Sequence, residues 1–245
     1  MVNILIDIGN SRVKYAVMEG DGSIMEMLSE DNFSQERVRD FARRYDISGA
    51  IVCSTRGDAT AIIAELKEIV KDALLFDTTL ELPIECNYST PETLGRDRLA
   101  LAIGAHDTYK NRDILLIDCG TAITIDFVSA EGAFEGGVIS PGVNMRFKAL
   151  HEFTASLPLC QAQEEDFDIA QTTQSAIKKG VMNGICYEME GYISHFRSKF
   201  EKLLVIFVGG DAKYFDKRIK NTIFAEQELL FKGLNKILEY NANKK

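Results

Sequence analysis

Two stretches of the chain combine an aspartate, a glycine and small polar residues in the same order. The first comprises Asp7, Ile8, Gly9, Asn10 and Ser11, and the second runs from 118 to 122. Glycine lets the backbone of a turn approach a ligand closely, and the N–H groups of the turn can then bind phosphate oxygens. A carboxylate at the end of a buried strand is costly unless it is hydrated, paired or bound to a cation. One such motif alone is typical of an ordinary hairpin turn. The prediction of phosphate binding therefore rests on the presence of two copies.

The two motifs have the features of a duplicated unit. Each aspartate ends an apolar run, and each glycine is followed by a second strand-like stretch, at 13–18 in the first copy and at 123–128 in the second. Internal similarity of this kind predicts two copies of one β-hairpin, one in each half of the chain. Two such hairpins facing each other across a cleft could bind the β- and γ-phosphates of ATP and their cation. Phosphoryl transfer requires mainly such positioning, donors to the phosphates and neutralisation of charge.

A third motif, between the two hairpins, offers a catalytic base. Gly95, Arg96, Asp97 and Arg98 open a predicted helix. Neighbouring cations favour the ionised form of a carboxyl group, so Asp97 could accept the proton of an attacking hydroxyl. Arg98 could bind a carboxylate of the substrate or the transferred phosphoryl group. Taken alone, these residues fit the solvated start of a helix equally well.

Glycines also follow the most apolar predicted strand, at 203–208. Gly209 and Gly210 would let a flat ring lie against the backbone, and a helix beginning nearby would offer its N-terminus to anions. We therefore predict an adenosine site here, with a plain strand-to-helix turn as the alternative. The glycine-flanked stretch 136–142 could form a wall of the cleft. Thr173 lies at a predicted helix start, where its side chain alone favours an N-cap role.

The remaining pattern predicts an α/β protein. Continuous apolar runs are typical of strands covered by helices, and they predict strands near 2–8, 12–18, 24–29, 49–53, 113–118, 122–128, 133–139 and 203–208. Apolar residues at helical spacing predict helices near 34–45, 58–72, 97–109, 142–152, 173–200 and 226–240. A polar break at 108–113 predicts two domains, 1–110 and 111–245.

Composition and charge argue against several classes of function. The 245-residue chain has a net charge of −9 and no basic stripe, so nucleic acid is not an expected partner. Its five cysteines, an odd number without CxxC spacing, predict free thiols in a reducing compartment. No apolar run approaches the ~18 residues of a membrane span. Because the first residues also read as a buried strand and not as a signal peptide, we expect a cytoplasmic protein that does not bind membranes.

Together these motifs resemble those of the type III pantothenate kinases, a branch of the superfamily of acetate kinase, sugar kinases, heat-shock chaperones and actin. That family carries Asp-x-Gly-Asn-Thr near its N-terminus, then Gly-x-Asp-Arg, Asp-x-Gly-Thr-Ala, Gly-Gly-x-Ile-x-Pro-Gly and a late Gly-Gly. The corresponding segments here are 7–11, 95–98, 118–122, 136–142 and 209–210. The resemblance implies two similar ribonuclease-H-like (actin-like ATPase) domains, each a mixed sheet flanked by helices, with a cleft between them.

The resemblance also implies a reaction and a set of roles. The γ-phosphate of ATP would pass to the primary hydroxyl of pantothenate, giving 4′-phosphopantothenate, in the first step of coenzyme A synthesis. Asp97 would be the general base, Asp118 would hold a monovalent cation (K⁺ or NH₄⁺), Mg²⁺ would accompany ATP, and the enzyme would be a homodimer. The ATP-binding residues would be Asp7, Ile8, Gly9, Asn10, Ser11, Arg12, Val13, Lys14, Thr121, Gly209 and Gly210. The pantothenate-binding residues would be Tyr88, Gly95, Arg96, Asp97, Arg98 and Thr173. For Thr173, the resemblance therefore favours substrate binding over the N-cap role.

The chain departs from the family pattern at two positions. Ser11 stands where threonine is usual, which keeps the hydroxyl, and Arg96 fills a position that is often small. Two alternatives stay open: a different small-molecule kinase of the superfamily, acting on a sugar or an acid, and a non-catalytic nucleotide-binding regulator. Retention of Asp7, Asp97 and Asp118 argues against a chain that has lost activity.

Overall fold

The computed structural model describes residues 1–57, 59–163, 169–220, 222–224 and 228–242. In chain order its elements are β1 (Val2–Ile8), β2 (Val13–Glu19), β3 (Ile24–Glu30), α1 (Gln35–Arg44), β4 (Ile47–Ser54), α2 (Thr60–Lys67), β5 (Ala73–Leu75), β6 (Glu85–Cys86), α3 (Arg96–Thr108), β7 (Ile114–Cys119), β8 (Ala122–Val128), β9 (Ala133–Pro141), α4 (Val143–Glu152), α5 (Thr173–Arg197), β10 (Leu204–Val208), a 3₁₀ turn (Ala212–Tyr214), β11 (Ile223–Phe224) and α6 (Glu228–Ala242). None of the described helices is long and apolar enough to cross a membrane.

The chain forms two compact units. The first consists of Met1–Asn111, Val128–Gly136 and Gln227–Lys245, and the second of Arg112–Phe127 and Gly137–Glu226. The last helix, α6, therefore belongs to the same unit as the first strand. The division into domains 1–110 and 111–245 stays a prediction.

The first unit is built on a five-stranded sheet in the order β3-β2-β1-β4-β5. Strand β1 pairs antiparallel with β2 and parallel with β4. Because successive side chains of a strand point to opposite faces, side chains of β1 contact helices on both faces of the sheet. Ile4, Ile6 and Ile8 pack in a core that includes residues of α1 and α2. On the other face the Asn3 side chain donates a 2.8 Å hydrogen bond to Asn235 of α6.

Two glycines allow α3 and α6 to pack backbone against backbone. A Cβ added at Gly104 would lie 1.9 Å from the carbonyl oxygen of Leu229, and one at Gly233 would lie 1.8 Å from that of Ala100. No side chain fits at these separations, so both positions require glycine. This packing fixes α3, whose first turn carries Asp97, to the sheet face that α6 covers.

The second sheet has six strands in the order β11-β10-β7-β8-β9-β6. Strand β10 pairs parallel with both β7 and β11. Helix α5 covers the second unit's core with Ile177, Val181, Ile185 and Met189, which recur at helical spacing as the sequence predicts. The core of this unit therefore lies between the sheet and its long helix.

The two sheets repeat one topology. Without its edge strand β6, the second sheet reads β9-β8-β7-β10-β11, which matches β3-β2-β1-β4-β5 strand for strand. The central parallel pair is β1/β4 in one and β7/β10 in the other. This correspondence confirms the α/β class with two similar mixed sheets, and it extends the duplication beyond the hairpins from which it was inferred.

All eight predicted strands and all six predicted helices are present. Their ends differ by a few residues, most at α2, which begins at Thr60 and ends at Lys67. Position 58 of that predicted helix, and 226–227 of the last one, lie outside the described residues. The sequence missed β5, β6 and β11, which are only two or three residues long.

Candidate active site

The first Asp-x-Gly motif forms the closed end of the β1–β2 hairpin. Asp7 and Lys14 are paired in register, Ile8 and Val13 form the last pair, and both of these apolar residues are buried. The N–H of Gly9 donates to the carbonyl of Arg12 at 3.0 Å and closes the turn. The predicted turn is thereby confirmed as a structure, and its two tip residues, 10 and 11, are exposed.

Asp7 is a buried carboxylate with an incompletely satisfied site. The residue is 4% exposed, and its Oδ1 has no hydrogen-bond partner among the described residues. Lys14 Nζ lies 3.7 Å from Oδ2. Burial raises the pKa of Asp7 to about 6, Lys14 opposes the rise, and the nearby Asp97 carboxylate adds to it. An unpaired buried oxygen of this kind fits a residue that receives a cation from outside the chain.

The second Asp-x-Gly motif also forms a turn closed by a hydrogen bond from the N–H of its glycine. The N–H of Gly120 donates to the carbonyl of Ala122 at 3.1 Å. A Cβ built on either motif glycine would lie 3.7 Å from a carboxylate oxygen of the aspartate two residues earlier. The second turn is one residue shorter, and its tip residue Thr121 is exposed.

The glycine pair after β10 packs against the second Asp-x-Gly motif. Gly209 has a φ of +92°, and a Cβ there would lie 2.4 Å from Asp118 Oδ1 and 2.5 Å from the carbonyl oxygen of Cys119. The Asp211 N–H donates to that same carbonyl at 3.0 Å. A Cβ at Gly210 would meet no atom within 4 Å. The structure therefore brings Asp118 and Gly209 together and leaves open space beside Gly210.

Asp97 lies in the first turn of α3, where Gly95 is the N-cap. Its Oδ1 accepts a 2.9 Å hydrogen bond from the Arg98 N–H. A Cβ at Gly95 would lie 2.6 Å from that oxygen, so the glycine makes room for the carboxylate. The Asp97 charge raises the pKa of Asp7. The carboxylates of the first hairpin and of the predicted base are therefore close enough to interact electrostatically.

The two arginines that flank Asp97 have different surroundings. Arg98 is buried, and its guanidinium carbon lies 5.7 Å from the Tyr88 ring centroid and 5.8 Å from that of Phe134. Arg96 donates a 2.6 Å hydrogen bond to the Pro91 carbonyl and lies 5.8 Å from the Phe76 ring centroid. Arg98 and Tyr88, both predicted to bind substrate, are thus neighbours.

Thr173 is the first residue of α5 and is exposed, but it is not the N-cap. That position belongs to Thr172, whose side chain accepts from the Ser175 N–H at 3.2 Å. The Ser175 hydroxyl in turn accepts from the Thr172 N–H at 3.2 Å, completing a capping box. The N-cap alternative for Thr173 is therefore wrong, because the preceding threonine already caps the helix.

Sequence reasoning missed one residue that contacts the first turn. Arg56, in the loop after β4, donates from Nε to the Gly9 carbonyl at 2.6 Å. Arg12, which was predicted to bind ATP, donates from Nε to the Ser29 hydroxyl of β3 at 2.7 Å. No pattern in the sequence indicates Arg56, because the loops that share one edge of a sheet are known only once the pairing of β1 with β4 is known.

The described residues contain no cluster of side chains typical of a metal site. Among them, no three His, Cys, Asp or Glu side chains lie close enough together to hold a metal ion. All five cysteines are free, and Cys53 is buried beside Asp7 in the β1/β4 register. Burial raises the pKa of the Cys53 thiol well above its usual value, and the charges of Asp7 and Asp97 raise it further.

Comparison with known proteins relates this site to a family. The family model described as type III pantothenate kinase matches residues 3–195. A type III pantothenate kinase of Bacteroides fragilis is 42% identical over 240 residues, which is 98% of each chain. A Baf family protein from Campylobacter jejuni shares 21% identity at a TM-score of 0.62, over 98% of this chain and 99% of its own. A ROK family glucokinase from Streptomyces griseus shares 11% identity at a TM-score of 0.54, over 99% and 100%. At these low identities the two solved structures show the fold alone.

Proposed function

The chain belongs to the type III pantothenate kinase family, and from that premise we propose which of its residues perform the reaction. Membership makes it an ATP-dependent kinase that phosphorylates pantothenate. The comparisons favour neither alternative, the sugar or acid kinase or the regulator without turnover. The roles proposed for individual turns and side chains depend on their contacts, burial and charge.

The turn after β1 is proposed to bind the phosphates of ATP. Its exposed tip offers backbone N–H groups, and Lys14 adds a positive charge near Asp7. Mg²⁺ that arrives with ATP would neutralise charge on the phosphates. Asp7 is the residue that would face that ion, and the support is its buried Oδ1, which has no partner among the described residues.

Asp97 is proposed to be the general base. Its carboxylate would accept the proton of the primary hydroxyl of pantothenate while that oxygen attacks the γ-phosphorus and the bond to ADP breaks. The supporting observation is its place, half-buried, in the first turn of α3, close enough to the buried carboxylate of the first hairpin to raise the pKa of Asp7. Arg98 and Tyr88 would bind pantothenate, Arg98 through the pantothenate carboxylate.

The second hairpin is proposed to hold a monovalent cation, K⁺ or NH₄⁺, at Asp118. Support comes from the density of oxygen atoms around the turn, since a Cβ at Gly142 would lie 2.6 Å and 2.2 Å from the carbonyl oxygens of Gly120 and Thr121. Carboxylate and carbonyl oxygens are ligands that hard cations prefer. Thr121, Gly209 and Gly210 are proposed to contact the nucleotide.

A homodimer and a cytoplasmic location are further parts of the proposal. Large apolar side chains are exposed on β9, α4 and α5 of the second unit, at Ile139, Met145 and Tyr187. Exposed apolar groups of this size are common where a second subunit binds. Sedimentation equilibrium tests the dimer, and a monomer at every concentration would refute it. The free cysteines support a reducing compartment.

Replacing the proposed base tests the central assignment. We expect Asp97→Asn to lower kcat for pantothenate by about 10²–10⁴-fold, the usual contribution of a general base. The affinity for Mg²⁺-ATP, measured by calorimetry, should stay near that of the wild type. Asp77→Asn, at an exposed turn whose carboxylate caps Thr79, is the control and should keep wild-type kcat. A wild-type kcat in Asp97→Asn would show that the base is another group.

A further inference from the structure

We propose that Arg56 is a positioning residue for ATP, because it fixes the orientation of the peptide group between Gly9 and Asn10. This inference rests on the proposed phosphate-binding role of the first turn. Neither the family motifs nor the pattern of the sequence pointed to Arg56, which lies outside all the motifs that the chain shares with the family.

The contacts of Arg56 place it across the base of the turn. Its Nε donates to the Gly9 carbonyl at 2.6 Å, and its Nη1 donates to the Asp31 carbonyl at 3.2 Å. One guanidinium therefore holds the β1–β2 turn and the end of the β3 segment together. Arginine is suited to this because its donors form a rigid planar fork that is always charged.

The neighbouring residue of the same loop holds the preceding carbonyl. The backbone N–H of Thr55 donates to the Ile8 carbonyl at 2.9 Å, and the Thr55 hydroxyl donates to it at 3.2 Å. Two consecutive residues after β4 thus bond two consecutive carbonyls, those of the last residue of β1 and of the first residue of the turn. The first of these bonds has a counterpart in the second unit, where the Asp211 N–H donates to the Cys119 carbonyl at 3.0 Å.

The geometry of the peptide bond connects this contact to ligand binding. A trans peptide group is planar, and its C=O and N–H point in opposite directions. The Gly9 carbonyl and the Asn10 N–H belong to one such group. Because Arg56 holds the carbonyl on its own side, the N–H points away from Arg56. Glycine at position 9 would otherwise leave this group free to rotate, since glycine populates several backbone conformations about equally.

The arginine also places a positive charge beside a turn proposed to bind anions. Arg56 is exposed, and its guanidinium is bonded to a carbonyl of the turn itself. Loss of the side chain should therefore weaken ATP binding in two ways, through the freed peptide group and through the lost charge. Pantothenate, which is proposed to bind at Tyr88 and Arg98, should be affected little.

Three substitutions separate these effects. We expect Arg56→Ala to weaken Mg²⁺-ATP binding about 10–100-fold, the equivalent of one charged hydrogen bond, with the KM for pantothenate within about twofold of the wild type. Arg56→Lys keeps the positive charge but cannot bond both carbonyls. Its affinity for Mg²⁺-ATP should therefore lie between that of Arg56→Ala and that of the wild type. Millimolar methylguanidinium should partly restore ATP binding to Arg56→Ala. Arg43→Ala, which removes an exposed arginine paired with Glu36 on α1, is the matched control and should bind ATP normally.

Lys14→Ala distinguishes failure of this inference from failure of the proposed function. If Lys14→Ala weakens ATP binding while Arg56→Ala and Arg56→Lys bind as the wild type does, the first turn binds phosphate and the inference about Arg56 is wrong. If all three bind ATP normally, the proposed phosphate site itself is wrong. Should Arg56→Ala not fold, the ATP affinity of Arg56→Lys decides, and wild-type affinity there overturns the inference.

Discussion

Lys14 Nζ lies 3.7 Å from Asp7 Oδ2, yet the pKa of Asp7 is raised to about 6. The contact is too long for a strong hydrogen bond, and the lysine side chain is 26% exposed. Burial of the carboxylate therefore outweighs its ion pair. The hairpin holds a negative charge that its own residues compensate only in part, which is the condition expected of a site completed by a ligand.

Replacing Asp7 should make the ligand-free protein more stable at neutral pH. Because the pKa of Asp7 is higher in the folded state, protonation of Asp7 stabilises the native state. This contribution to the unfolding free energy is complete below pH 3.8 and is lost as the pH rises through about 6. Asp7→Asn removes that loss. The difference in unfolding free energy between Asp7→Asn and the wild type should grow between these pH values to on the order of 1–3 kcal/mol.

Urea unfolding at a series of pH values measures this difference. Asp46→Asn, at an exposed position before β4, is the control and should show no such trend. A wild type that gains stability relative to Asp7→Asn between pH 4 and pH 7 would contradict the prediction. Despite its greater stability, Asp7→Asn should bind Mg²⁺-ATP more weakly.

Neighbouring threonines at the start of α5 should have separable effects. Thr172→Ala removes the capping side chain and should cost about 1 kcal/mol of stability, with the KM for pantothenate unchanged. Thr173→Ala should leave the thermal midpoint near that of the wild type. If Thr173 binds pantothenate through its hydroxyl, its loss should raise the KM for pantothenate about tenfold.

Thermal unfolding and steady-state kinetics on the two variants test both parts. The two changes are chemically identical and one residue apart, so each is the control for the other. A raised KM in Thr172→Ala with a normal KM in Thr173→Ala would reverse the assignment. A normal KM in both would remove Thr173 from the substrate site.

The two glycines after β10 should respond very differently to alanine. Gly209→Ala places a Cβ 2.4 Å from Asp118 Oδ1 on a backbone with φ of +92°. Strain in the left-handed region and overpacking should together cost about 2–4 kcal/mol. Gly210→Ala adds a Cβ that meets nothing within 4 Å, so the protein should keep nearly its full stability. Calorimetric unfolding of the two variants compares them directly. Equal thermal midpoints would mean that the Gly209 backbone relaxes more easily than its contacts suggest.

The sequence predicted the fold well where apolar runs are long. Nearly all residues of strands such as β1 and β10 are buried. A short apolar run bounded by turn residues is typical of a buried strand. Strands β5, β6 and β11 were missed because two or three residues carry no periodicity. The pairing of α3 with α6 was also missed. It depends on Gly104 and Gly233, which lower the helix propensity of a segment and therefore argue locally against the structure they allow.

The two Asp-x-Gly turns of the candidate site were predicted as local structure, but their surroundings were not. The two turns could be recognised because a glycine after an apolar run is typical of a tight turn. The burial of Asp7 and the interaction of its carboxylate with Asp97 could not be predicted from the sequence, since both depend on how α3 packs on the sheet. The role of Thr172 was missed because adjacent threonines are equivalent until the first helical residue is known. Arg56 was missed because a loop arginine carries no pattern of its own.

The membership of α6 in the first unit has a consequence for how the protein is made. The strands of that unit leave the ribosome early, but the helix that covers their Asn3 face is synthesised only after the residues of the second unit. The nascent sheet must therefore wait, with the part of that face under α6 uncovered, until the second unit has emerged as well. We expect chaperone dependence to be concentrated in that interval, and premature termination before residue 228 to yield aggregates and no folded fragment.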